Sequence, residues 1–165
     1  MIIIKGDLLE AKEEYIAQQC NCLTVRSHGL SSAIAKKWTW ADPYSGRKRV
    51  GTRNLAIEAD RDKPGTIKVL SSQDRNKHVI CIFGQWVPGI PRKYQTYPDW
   101  EIDSFKTREK WFKMSLSEIA QLDIKTVAFP YNIGCGLAGG DWKHYSKMLE
   151  DWEEESGIKV VLYKL

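Results

Sequence analysis

The 165-residue chain lacks an apolar run that could cross a membrane as a helix, which takes about 20 consecutive apolar residues. Its first residues, Met1-Ile2-Ile3-Ile4-Lys5-Gly6, are too soon interrupted for a signal peptide and read as a strand. Cysteine is scarce: Cys20, Cys22, Cys81 and Cys135. Cys20 and Cys22 share one face of a strand. No second Cys or His pair at ligand spacing joins them, so no metal site is expected. Without a secretion signal, free thiols in a reducing cytosol are the expectation, with nucleus or host cytosol as compatible compartments. Charge of one sign is also missing. The net charge is +4, too mild to demand nucleic acid. The runs Arg47-Lys48-Arg49, Glu150-Asp151 and Glu153-Glu154-Glu155 read as solvated surface. There is no internal repeat, low-complexity tract or domain boundary. One domain over residues 1–165 is expected, as a monomer with no membrane partner.

What is present is an alternation of strand and helix patterns. Apolar, β-branched runs place strands at 2–5, 15–19, 66–70, 78–83, 125–130 and 158–163. Leu30, Ile34 and Trp38 repeat every four residues and place a helix at 30–38, capped by Ser31 or Ser32. A second helix follows Asp103 or Ser104, with Phe105, Phe112, Leu116 and Ile119 on one face. A third, at 142–156, carries Tyr145, Met148, Leu149 and Trp152 on one face and ends at Gly157. Several strands are apolar on both faces, as in an α/β fold whose mixed, largely parallel sheet is covered by helices on both sides. Residues 85–100 hold three prolines and several aromatics. They are a functional lid or a surface Ω-loop packed by its own side chains.

Gly134, Gly136 and Gly139 form G-x-G-x-x-G between a strand and a helix. Glycines there let the backbone approach an anion, and free amides with a helix N-terminus supply positive potential. A dinucleotide-binding unit needs a following strand with an acid about twenty residues on, and further units; one strand remains here, with no acid at its end. A P-loop needs Gly-Lys-Ser/Thr, but Gly139 is followed by Gly140 and Asp141. A cysteine phosphatase needs an arginine in the turn after Cys135, and none is there. Asp141 is a helix N-cap, an acid that activates water, or both. A second loop, 21–29, also leads from a strand into a helix, so its polar residues can face the same cleft. Asn21 can hydrogen-bond sugar hydroxyls in both directions. His28 is a general acid or base, or a surface histidine.

Four blocks resemble the macrodomain family of ADP-ribose binders and hydrolases: Lys5-Gly6-Asp7-Leu8-Leu9; Gln19-Cys20-Asn21-Cys22 with Gly29 and Ala33-Ile34-Ala35-Lys36; residues 130–142; and residues 160–165. The match runs end to end and looks closest to the small stand-alone branch with ADP-ribose 1″-phosphate phosphatases and terminal ADP-ribose protein glycohydrolase. The resemblance implies a three-layer α/β/α sandwich. It implies that Asp7, beside Leu8, reads adenine and that Asn21 reads the distal ribose. The backbones of Ser27, His28 and Gly29, with Ile133, Gly134, Cys135, Gly136 and Leu137, would hold the pyrophosphate, and Leu30 would also line the ligand site. The chain departs from the family in its chemistry. The glycohydrolase lysine falls at Gly84 or Gln85 and its aspartate at Ala138; the histidine of some phosphatases falls at Gln18. The expected function is a hydrolase of ADP-ribose derivatives, foremost an ADP-ribose 1″-phosphate phosphatase needing no cofactor. Asp141 would orient water, Asn21 would fix the ribose, and His28 could substitute for the missing histidine. The alternatives are an ADP-ribosyl hydrolase acting on protein or nucleic acid, a non-catalytic ADP-ribose reader and, last, a nucleic-acid module resting on seven Trp and Arg92-Lys93.

Overall fold

The computed structural model describes residues 1–92 and 101–165. Six strands form one sheet: β1 (Ile2–Lys5), β2 (Tyr15–Asn21), β3 (Ile67–Ser71), β4 (His78–Gln85), β5 (Thr126–Pro130) and β6 (Lys159–Lys164). Their order is β1-β6-β5-β2-β4-β3. Among the described strands only the β3–β4 pair is antiparallel. The mixed, largely parallel sheet is therefore as expected. Three helices accompany it: α1 (Gly29–Lys37), α2 (Phe105–Ile119) and α3 (Trp142–Ser156).

The pleat sends alternate residues to opposite cores. On one face Ile16 and Cys20 of β2, Cys81 and Phe83 of β4 and Val161 of β6 pack with Ile34 of α1. On the other, Ala17, Ile80, Ile82 and Leu162 pack with Phe112 and Leu116 of α2 and Tyr145, Leu149 and Trp152 of α3. Every residue of β4 is buried, as a central strand covered on both faces requires. Gly157 ends α3 in the left-handed conformation at φ 76°, as its position after the last apolar residue predicts.

Several local expectations change. Ser31 and Ser32 lie inside α1; the position before it is His28, which makes no side-chain cap. Ser31 instead donates from Oγ to Gln18 Oε1 at 2.6 Å, a buried bond to β2. Ser104 caps α2, in a reciprocal capping box with Thr107. Phe105 is half exposed rather than part of the helix's apolar face. Arg47 leaves the basic surface run and is buried. Gln85 belongs to β4. Residues 93–100, on which the lid and Ω-loop readings turn, lie outside the described residues. Trp86, Trp111 and Trp152 are buried, and Trp38, Trp40 and Trp142 pack against the two cores, so these six serve packing; Trp100 and Lys93 lie outside the described residues. Among the described residues no helix is long and apolar enough to cross a membrane, and no His, Cys, Asp and Glu cluster could hold a metal ion.

Candidate functional site

Parallel strands bring the loops after β1, β2, β4 and β5 to one end of the sheet. β2 and β5 are laddered at a single pair, Ile16 with Ala128. After β2 the chain builds β3 and β4 on one side, then returns through α2 to build β5 on the other. At such a switch point the flanking loops leave in opposite directions and a crevice opens at the carboxyl ends. A cleft of about 270 Å³ lies there. Its lining includes Gln19 and Asn21 of β2, His28 to Ser31, Tyr44, Gln85, Gly89, and most of residues 130–138.

The glycine loop forms one wall and is closed by its own backbone. Cys135 N donates to Asn132 O at 2.9 Å, Gly139 N to Gly136 O at 3.0 Å and Gly140 N to Gly134 O at 3.1 Å. The amides of Gly134, Gly136, Leu137 and Ala138 take no part in these closures. Gly140 must be glycine because a Cβ there would lie 2.5 Å from Gly134 O. Gly134 has φ +75°, and its Cβ would meet the Tyr145 ring at 2.6 Å. At Gly136 a Cβ would meet nothing within 4 Å, so its openness toward the cleft is not a folding requirement.

The opposite wall, the loop after β2, is closed by side chains. Asn21 Oδ1 accepts from Leu23 N at 3.0 Å and Thr24 N at 2.9 Å, and its Nδ2 donates to Thr24 Oγ1 at 3.0 Å. One Nδ2 proton remains for a ligand. Asn54 Oδ1 accepts from Val25 N and Arg26 N. Arg47 donates to Thr24 O at 2.8 Å and Asn21 O at 3.1 Å while paired with Asp62 at 2.7 Å. This wall ends at the N-terminus of α1, whose residues Gly29, Leu30 and Ser31 line the cleft, and a helix N-terminus favours an anion.

The cleft floor is a chain of neutral amides. Gln19 Nε2 donates to Gln85 Oε1 at 2.7 Å, and Gln85 Nε2 to Val87 O at 2.8 Å. This fixes both carboxamides. Gln19 lies between Gly84 and Gly134, at each of which an added Cβ would approach its Oε1 to 3.0 Å. Below the floor, Arg108 is 1% exposed and pairs with Asp103 through Nε at 2.6 Å and Nη2 at 3.0 Å. It also donates to Val87 O, Gly89 O and Ala138 O at 3.2, 2.6 and 3.4 Å. Sequence reasoning missed Gln19, Gln85, Tyr44, Arg47 and Arg108 as parts of this site. Gly84, a lone glycine inside an apolar strand, was the available signal of a close approach.

Of the sequence candidates, Asn21, His28, Gly29, Leu30, Ile133, Gly134, Gly136 and Leu137 line the cleft together. Asp7, Leu8, Ser27, Cys135 and Asp141 stand outside its lining. Asp7 follows β1 and caps a 3₁₀ turn, Leu8–Glu10, accepting from Leu9 N at 2.9 Å; Leu8 is buried. Burial, followed by the charges of Asp141 and Glu109, pushes the Cys135 thiol up to about 12, so it is no nucleophile at neutral pH. Asp141 caps α3 by accepting from Lys143 N at 2.9 Å. Its Oδ2 lies 3.6 Å from His144 Nε2, and His144 Nδ1 meets Glu109 Oε2 at 2.9 Å. The Glu109 hydrogen bond and then the two carboxylate charges raise the His144 pKa. No Asp, Glu, Lys or Arg is among the cleft's described lining residues. His28, at the exposed mouth, is the one imidazole among the cleft's described lining residues.

No family model matches the chain. Its fold is that of the macrodomains. The macrodomain of Mycobacterium tuberculosis DarG superposes with a TM-score of 0.65 at 19% identity, covering 98% of this chain and 97% of that one. A mutant macrodomain of Oceanobacillus iheyensis, solved with ADPR, does so at 0.58 and 13% identity, covering 99% and 83%. An uncharacterized protein of Thermococcus kodakarensis is 25% identical over 98% of this chain and 91% of its own length.

Proposed function

We propose that the cleft binds ADP-ribose or an ADP-ribose derivative. The observation that carries this is the facing of two walls, the 134–138 backbone and the α1 N-terminus, across a switch-point crevice with no carboxylate among its described lining residues. A diphosphate has many acceptor oxygens and no donors, so it suits such walls. Asn21 offers a fixed N–H to a sugar hydroxyl. Asp7, following β1, is the acceptor for an adenine amine at the flank of the site. The ADPR that accompanies the Oceanobacillus macrodomain supports the choice of nucleotide. Calorimetric titration with ADP-ribose tests the reading, and absence of binding at millimolar ligand overturns it. Asp7→Ala should weaken ADP-ribose but leave ribose phosphate unaffected; equal losses refute the adenine role.

The activity we infer for this site is hydrolysis of ADP-ribose derivatives, foremost ADP-ribose 1″-phosphate. The position of His28 at the mouth favours it. Water adds to phosphorus, the bond from phosphorus to the ribose oxygen breaks, and imidazolium His28 gives its proton to that oxygen. The products are ADP-ribose and inorganic phosphate. Asn21 fixes the ribose. Asp141 is given no water-orienting part, since it stands outside the lining and caps α3. Release of ADP-ribose from modified protein or nucleic acid would use the same bound ribose. Product analysis on all three substrates separates these activities. His28→Ala should lower turnover about 10²-fold with ADP-ribose binding kept. Unchanged turnover removes the histidine's role, and no turnover of any substrate by the native protein leaves an ADP-ribose reader.

A further inference from the structure

Arg108 is a cation in the first turn of a helix, where the helix dipole disfavours it, and it is almost fully buried. Asp103, also buried, compensates the charge and accepts from Trp86 N and Val87 N at 3.2 and 3.3 Å. The remaining guanidinium N–H groups go to carbonyls of two separate segments: Val87 and Gly89 of the loop after β4, and Ala138 of the glycine loop. Gly89 and Ala138 line the cleft. Val87 O also accepts from Gln85, so one buried polar chain runs from Gln19 through Gln85 and Val87 to Arg108 and the glycine loop. A single planar group thus sets the distance between two cleft walls that share no other hydrogen bond among those described.

We propose that Arg108 is a positioning residue that shapes the subsite for the ligand's terminal ribose. The inference rests on the ADP-ribose reading of the cleft. In the order β1-β6-β5-β2-β4-β3, Asp7 stands at the β1 flank and the loop after β4 at the other side, with the glycine loop between. A ligand with adenine near Asp7 and diphosphate on the glycine loop sends its terminal ribose toward Gly89 and Ala138. Arg108, 1% exposed, acts by holding those two carbonyls in place.

The test compares ADP-ribose with ADP, which lacks the terminal ribose, by calorimetry on the native protein and two variants. Arg108→Lys keeps the charge but cannot fork to several carbonyls. Arg108→Met with Asp103→Asn removes both charges and keeps an acceptor for Trp86 N and Val87 N, which protects folding. Both variants should lose about tenfold or more in ADP-ribose affinity and about twofold or less for ADP. A merely structural role would lower both ligands together. An equal loss for both, or an unchanged ratio, overturns the inference while leaving the cleft reading intact. If the native protein binds neither ligand, the cleft reading fails and this inference with it.

Discussion

The two loops that face the cleft are built on opposite principles. The 134–140 loop is held by its own backbone, and glycines permit the closures. The 21–28 loop is held by side chains: Asn21 at its start, with Asn54 and the buried Arg47 reaching in from elsewhere. The first is spoiled by adding an atom, the second by removing one. Both place residues along the cleft, so one lining arises from two kinds of local chemistry.

The contrast is sharpest at Arg47. Replacing it by Met leaves partly buried Asp62 with only the longer Lys68 contact at 3.4 Å, and two loop carbonyls without their guanidinium donor. A destabilisation of about 3–5 kcal/mol is expected, read from urea unfolding; a change below about 1 kcal/mol would show that the loop does not depend on this side chain. In the glycine loop, Gly140→Ala should cost about 3 kcal/mol, because backbone rather than a flexible side chain must move. Asn21→Ala should cost about 2 kcal/mol, since Leu23 N and Thr24 N lose their buried acceptor. Additivity with Arg47→Met, read by thermal unfolding, would contradict a shared network, because neighbours in one network couple. Gly136→Ala is the control. With open space around its Cβ, stability should change by about 0.5 kcal/mol or less, while ADP-ribose affinity falls if the backbone there approaches the diphosphate. Unchanged affinity would restrict anion contact to other amides.

The smallest expected effect concerns pH. His144 is solvent-exposed and its folded pKa is raised, so its pairing with Glu109 and Asp141 adds stability that is fully present below the unfolded imidazole pKa. That increment fades as pH rises through the higher folded value. The melting temperatures of native protein and His144→Ala should therefore converge above neutrality. A difference that grows with rising pH would contradict the pairing.

Much of the fold was legible in the sequence. The strands, the three helices and the Gly157 cap follow from periodicity and local sterics, because a buried face and a left-handed cap each demand particular residues at particular spacings. The site was legible where one residue type signals one need. The 134–140 glycines mark close backbone approach, although the structure divides them: Gly140 and Gly134 serve the loop's own closure, while Gly136 is open. Asn21 and His28 were found through a loop that precedes a helix. Arg47 and Arg108 were missed because each is unremarkable among its neighbours in sequence, and Gln19 and Gln85, though they fall in family-like positions, gave no sign of pairing with each other. Arg108 looks like one more charge on a surface helix, and Arg47 like part of a basic run. Asp141 was read in two ways, and its geometry favours the cap.

By itself, then, the sequence determined the alternation of strands and helices, the strand–loop–helix anion motif and the departure of that motif from P-loop and cysteine-phosphatase turns, since these rest on short-range spacing and residue chemistry. Only the tertiary structure decided which polar side chains lie buried under the cleft, which glycines serve folding rather than ligand, and that Asp141 stands outside the lining. Those outcomes depend on segments far apart in the chain, such as Gln19 with Gln85 or Arg108 with Ala138. Desolvation makes such distant pairs binding commitments, and nothing in local periodicity records them.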